Sequence, residues 1–238
     1  MNWRNFITGA IILIAIGYYF LQSEPTNISK YINDDRWWTN EQPHLIENDT
    51  TIRSFKINVS EHILTDLKTR LKAIRKYKTL RGTKWDYGAN ADYILSLMHY
   101  WQDHYNWRKH EMIINELDHY KTKIQGLDIH FIHQATNQNT TYDVNKVILM
   151  IHGWPGSFHE FYKVIPLLVA KGYVVIAPSV PGFGYSDHPQ KSGLGAIETA
   201  VIFMQLMQRL GYKHYYVQGG DWGSVIANIM AILDSKLV

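Results

Sequence analysis

The sequence predicts an α/β protein: a largely parallel sheet with helices on both of its faces. Short continuous apolar runs, Val147–Ile151 and Val174–Ala177, have the composition of strands buried on both sides. Segments with apolar residues at helical spacing alternate with these runs, over Phe158 to Ala170, Ala196 to Leu210 and Val225 to Leu233. A strand–helix order repeated in this way folds as a parallel sheet.

The elements follow in order. Phe6 to Leu21 is apolar apart from Thr8, Gly9, Gly17 and two tyrosines, with Arg4 before it and Gln22-Ser23-Glu24-Pro25 after it. A spanning helix wants about 20 residues. Trp3 and Tyr18-Tyr19 extend the run as interfacial anchors. No small-residue cleavage site follows Leu21, so an uncleaved membrane anchor over residues 1–24 is expected rather than a signal peptide. Residues 25–50 are polar and read as a linker. Within it, Trp37-Trp38 is expected to dock on the protein body, because exposing two indoles is costly. Sequons stand at Asn27, Asn48, Asn58 and Asn139.

Residues 51–118 form a helical region. Phe55, Ile57 and Val59 alternate and suggest a short strand. Ser60 caps a helix with Ile63, Leu64, Leu67, Leu71 and Ile74 on one face. Asn90 caps a second helix, through Trp101, and a third runs from Trp107 to Leu117. Residues 119–238 form the α/β body. It opens with a hairpin, Tyr120-Thr122-Ile124 turning at Gly126 into Leu127-Ile129-Phe131. Tyr215-Tyr216-Val217 is its last strand. A hairpin feeding such a sheet is the entry to an α/β-hydrolase fold.

Composition excludes several functions. There are no cysteines, so disulfides, thiolate catalysis and Cys-ligated metal are ruled out. The net charge is only +3. The basic run Lys68, Arg70, Lys72, Arg75, Lys76, Lys78 follows helical spacing and reads as a solvated face, so no nucleic-acid partner is expected.

The chemistry concentrates in two motifs. Gln218-Gly219-Gly220-Asp221-Trp222-Gly223 lies between a strand and a helix. That is the context of a nucleophile elbow, with Asp where serine hydrolases carry Ser. Its glycines allow a tight turn. The helix N-terminus favours an ionised carboxylate. An Asp nucleophile attacks carbon and leaves an alkyl-enzyme ester for water to cleave. The competing reading of Asp221 is a plain helix N-cap. The second motif is His152-Gly153-Trp154-Pro155-Gly156, directly after a strand. In such folds this loop supplies one backbone N–H of the oxyanion hole and the residue after the nucleophile supplies the other. Here those are Trp154 and Trp222. His152 is misplaced for a general base and reads as a histidine that holds the loop.

These two motifs, together with Ala177-Pro178-Ser179-Val180-Pro181-Gly182-Phe183-Gly184-Tyr185-Ser186-Asp187, resemble microsomal epoxide hydrolases, above all insect juvenile hormone epoxide hydrolases. Trp37-Trp38 and Ile52 to about Tyr120 are similar to the N-terminal domain of that family. The resemblance implies an endoplasmic reticulum membrane protein that converts lipophilic epoxides, terpenoid hormone epoxides or aromatic xenobiotic oxides, to vicinal diols. The implied roles are Asp221 as nucleophile and Trp154 and Trp222 as oxyanion donors. The other partner is water, and no cofactor or metal is implied.

The resemblance also implies cap-domain tyrosines, an acidic residue and a histidine, all after the nucleophile. The sequence ends at Val238 before any of them. A 238-residue protein is therefore expected to form the ester at best and to expose an apolar sheet edge. Two other readings remain open at this point. One is a haloalkane dehalogenase, which shares the Asp nucleophile. The other is a non-catalytic membrane protein that only binds a lipophilic ligand. A serine esterase is disfavoured because Ser224 lies past the elbow tip.

Overall fold

The computed structural model describes residues 36–40, 49–75, 77–80, 82–136 and 146–234. The anchor expected over residues 1–24 and the sequons at Asn27, Asn48 and Asn139 lie outside them. Among the described residues no helix is long and apolar enough to cross a membrane. The chain separates into two compact units, Ser54–Tyr120 and the remainder.

The sheet comprises β1 (Ile52–Phe55), β2 (His119–Ile124), β3 (Leu127–Gln134), β4 (Val147–Ile151), β5 (Val174–Pro178) and β6 (Tyr216–Gly219), in the order β1-β2-β3-β5-β4-β6. β3 runs antiparallel to β5, with Phe131 opposite Pro178. β4 is parallel to both β5 and β6. Every residue of β5 is buried, as its continuous apolar run requires. β6 is an edge strand whose Tyr216 is exposed.

The helix expected from Phe158 to Ala170 is broken. A 3₁₀ turn covers Phe158–Phe161, and α4 begins at Val164 and ends at Ala170. Pro166 explains the break. In one continuous helix it could not donate to the Tyr162 carbonyl, whereas in the first turn of a new helix its missing N–H costs nothing. α5 (Ala196–Arg209) is buried on most sides from Thr199 to Met207 and ends before Gly211, whose φ is +84°. α6 (Trp222–Leu233) buries Gly223, Ile226, Met230 and Leu233. It starts three residues before Val225, where the apolar spacing places it.

The tryptophan pair does dock. Trp38 is buried, and its indole donates to Gln125 Oε1 at 2.7 Å. Its backbone N–H donates to the Gln125 carbonyl and its carbonyl accepts from Gln190 N–H. Trp37 lies so close to Gly126 that a Cβ there would stand 2.8 Å from its ring. Arg36 pairs with Glu198 at 2.7 Å.

In the Ser54–Tyr120 unit, Ser60 and Asn90 cap α1 (Glu61–Lys72) and α2 (Ala91–Asp103), and Asn106 caps α3 (Trp107–Ile114). Ile63 is exposed, not on a buried face. The strand expected over Phe55, Ile57 and Val59 stops at Phe55. The backbone beyond it bonds to side chains of and just after α3. Asn115 accepts from Ile57 N–H at 2.9 Å and donates to the Ile57 carbonyl at 2.8 Å. Glu111 accepts from Val59 N–H at 2.7 Å. Those partners satisfy the backbone without a neighbouring strand.

Candidate active site

Parallel pairing of β4 with β6 sets Ile151 opposite Gly219. The loop after β4 and the turn after β6 therefore open side by side at the carboxyl ends of their strands, where α/β sheets bind ligands.

Asp221 stands in that turn at φ 52°, ψ −126°. A non-glycine residue there is strained, and the surroundings must impose it. Backbone packing does so. A Cβ on Gly219 would collide with the Gly223 carbonyl, and one on Gly223 with the Ile151 carbonyl. Gly220 has open space around it, so the demand for glycine falls on 219 and 223.

Asp221 occupies the N-cap position of α6 but makes no side-chain capping bond. Its Oδ1 instead accepts from the Trp154 backbone N–H at 2.8 Å. The amides of Trp222 and Trp154 hold its carboxyl below the usual carboxylate range. The plain N-cap reading thus fails, and the carboxylate is ionised and exposed, with Oδ1 held by the Trp154 amide. Ser224 turns its hydroxyl back onto the Asp221 carbonyl at 2.6 Å, away from the tip. The indoles of Trp154 and Trp222 are exposed, at 65% and 55%, and give the site an apolar rim.

His152 is buried. Its Nε2 accepts from Val180 N–H at 3.0 Å, which leaves the proton on Nδ1 to donate to the Gly153 carbonyl at 3.1 Å. Burial pushes its pKa down, against the opposing pull of the Gly153 carbonyl and the Glu160 charge. Both ring nitrogens are engaged away from Asp221, in keeping with a loop-holding histidine.

Sequence reasoning placed Gly153 in the loop motif but gave it no role of its own. A Cβ on Gly153 would lie 2.6 Å from Asp221 Cβ, so only glycine lets the two loops meet. Its place between the end of β4 and Trp154 was the available signal. Among the described residues no cluster of His, Asp and Glu could hold a metal ion.

The family model for the epoxide hydrolase N terminus matches residues 52–161, and that for the α/β hydrolase fold matches residues 146–238. Juvenile hormone epoxide hydrolase 1 of Ctenocephalides felis is 42% identical over 236 residues, covering 97% of this chain and 50% of that one. The chain belongs to the epoxide hydrolase family. Epoxide hydrolase 1 of Sus scrofa is 38% identical, over 97% of this chain and 52% of its own. The crystal structure of the juvenile hormone epoxide hydrolase from the silkworm Bombyx mori superposes with a TM-score of 0.76 at 41% identity, covering 86% of this chain and 55% of that one. The chain spans about half the length of the curated relatives it matches. These epoxide hydrolase relatives do not favour the dehalogenase reading.

Proposed function

We propose that Asp221 is the nucleophile of an epoxide hydrolase that converts lipophilic epoxides to vicinal diols. The 2.8 Å bond from Trp154 N–H to Asp221 Oδ1 carries the reading. It occupies one carboxylate oxygen and leaves Oδ2 to attack an epoxide carbon. The C–O bond of the epoxide breaks, its oxygen takes a proton, and an ester joins the substrate to Asp221. Water then adds to the ester carbonyl carbon. The negative charge develops on Oδ1, which the Trp154 amide bonds; the Trp222 amide, which also bonds this carboxyl, is the second donor. Collapse expels the diol, and the oxygen of that water remains in the Asp221 carboxylate.

The exposed indoles of Trp154 and Trp222 suit an apolar epoxide. The names of the relatives in flea and silkworm point to a terpenoid hormone epoxide, and that of the pig relative to epoxides more broadly. Membrane attachment through residues 1–24, as a single-pass protein of the endoplasmic reticulum, belongs to the same proposal. The apolar run Phe6 to Leu21 supports it. Lipophilic epoxides partition into that bilayer.

The test is diol formation from a lipophilic epoxide by the protein expressed from its complete reading frame. Activity should fall about 10³-fold or more in Asp221→Asn, as it does when a covalent nucleophile is removed. Unchanged diol formation in that variant, or halide release from a haloalkane in place of diol formation, would refute the proposal.

A further inference from the structure

The segment from Ser179 to Asp187 is fastened to β3 along its length. Ser179 N–H donates to the His130 carbonyl at 2.8 Å, and Asp187 N–H donates to that of Asp128 at 3.0 Å. Asp128 N–H returns a bond to Asp187 Oδ2 at 3.0 Å. His130 N–H donates to Ser186 Oγ at 2.9 Å, and that hydroxyl donates to the Ser179 carbonyl at 2.8 Å. The His130 ring, fully buried, meets Ser179 Oγ at 2.8 Å through Nδ1 and packs edge-on against Phe158 and Tyr185. A Cβ on Gly184, where φ is +53°, would stand 2.5 Å from Ser179 Oγ, so the segment has little room to shift.

This fixed segment meets the site at His152: Val180 N–H donates to His152 Nε2, and the Phe183 ring packs edge-on against the imidazole. The other ring nitrogen of His152 holds the Gly153 carbonyl, and the next amide in the chain is the Trp154 donor on Asp221. We propose that His152, anchored on the β3-fastened segment through Val180, is a positioning residue that sets the Trp154 amide on Asp221. The proposal rests on the reading of Asp221 as nucleophile. Neither ring nitrogen of His152 bonds the carboxylate. It acts by fixing where the peptide between Gly153 and Trp154 points, and it can do so only as the neutral ring with Nε2 free to accept.

The step that depends most on an oxyanion donor is hydrolysis of the ester, in which the charge on Oδ1 becomes greatest. Two variants separate positioning from bulk. His152→Phe keeps a ring in the cavity and removes both bonds. His152→Gln keeps an acceptor for Val180. In single-turnover reactions of the full-length protein with a lipophilic epoxide, His152→Phe should slow ester hydrolysis by about tenfold to a hundredfold, less than removal of a donor outright. Ester formation should change far less, so the ester accumulates, and His152→Gln should recover most of the rate. A variant that merely folded less well would lose both steps equally.

Hydrogen exchange at the Val180 and Trp154 amides supplies a reading that does not depend on chemistry. Both should lose protection in His152→Phe and regain it in His152→Gln. Unchanged protection of Trp154 in His152→Phe, or equal loss of ester formation and hydrolysis, would overturn the positioning role. Absence of any ester in the unmodified protein would overturn the nucleophile reading instead, and the exchange result would still decide whether His152 places the amide.

Discussion

The Trp154 amide and the Asp221 carboxylate meet at 2.8 Å although 67 residues separate them in sequence. That contact exists because β4 and β6 are adjacent and parallel, so that Ile151 and Gly219 end together. It depends on backbone packed against backbone in the elbow, and the first prediction concerns that packing.

Gly223→Ala should destabilise the fold by about 2–4 kcal/mol, since a methyl there overlaps the Ile151 carbonyl and the strand cannot yield. Gly220→Ala should change stability by no more than ~0.5 kcal/mol, because nothing lies within 4 Å of its Cβ position. Chemical denaturation of the two variants checks the contrast. Equal effects would mean that the elbow is not packed as described.

Trp38→Ala should cost about 3–5 kcal/mol, the range for a large buried aromatic. Trp38→Phe keeps most of the apolar body but loses the bond to Gln125, and should cost more nearly ~1 kcal/mol beyond the packing loss. Limited proteolysis should cut near residues 36–40 in the alanine variant first.

Stability should decline as pH falls below about 6.5, the ordinary imidazole value. Burial pushes the pKa values of His119 and His152 down, each partly opposed by a backbone carbonyl. The unfolded chain then binds protons before the folded one does. The stabilisation is complete above the ordinary value and is lost as pH falls toward the depressed ones. Asp221 adds a second decline at lower pH, since its carboxyl is also held down. Thermal unfolding from pH 8 to pH 5 should show the histidine-linked loss, and His119→Gln should reduce it.

Much of this was legible in the sequence. The hairpin at Gly126, strands β4 and β5, and the caps at Ser60 and Asn90 follow from local pattern and short-range chemistry, and so form as expected. The tight turn that carries Asp221 was legible because such a strand-to-helix turn needs glycine on both sides. What local pattern could not supply was long-range. Ile57 and Val59 alternate like a strand, but Asn115 and Glu111, far along the chain, take their backbone bonds. β6 runs on through Gln218 to Gly219, beyond its apolar residues, because β4 pairs with it there. Pro166 did carry the signal for the broken helix, and apolar spacing concealed it. The anchoring of His152 on Val180 depends on a loop after β5 and could be seen only in three dimensions.

The most direct measurement is a single turnover in ¹⁸O-labelled water, with full-length enzyme in excess over a lipophilic epoxide, followed by mass spectrometry of the Asp221 peptide and of the diol. The expected result is a transient Asp221 peptide heavier by the mass of the epoxide, then ¹⁸O in the Asp221 carboxylate and an unlabelled diol. A diol carrying ¹⁸O from that first turnover, with Asp221 unmodified and unlabelled, would contradict the nucleophilic role.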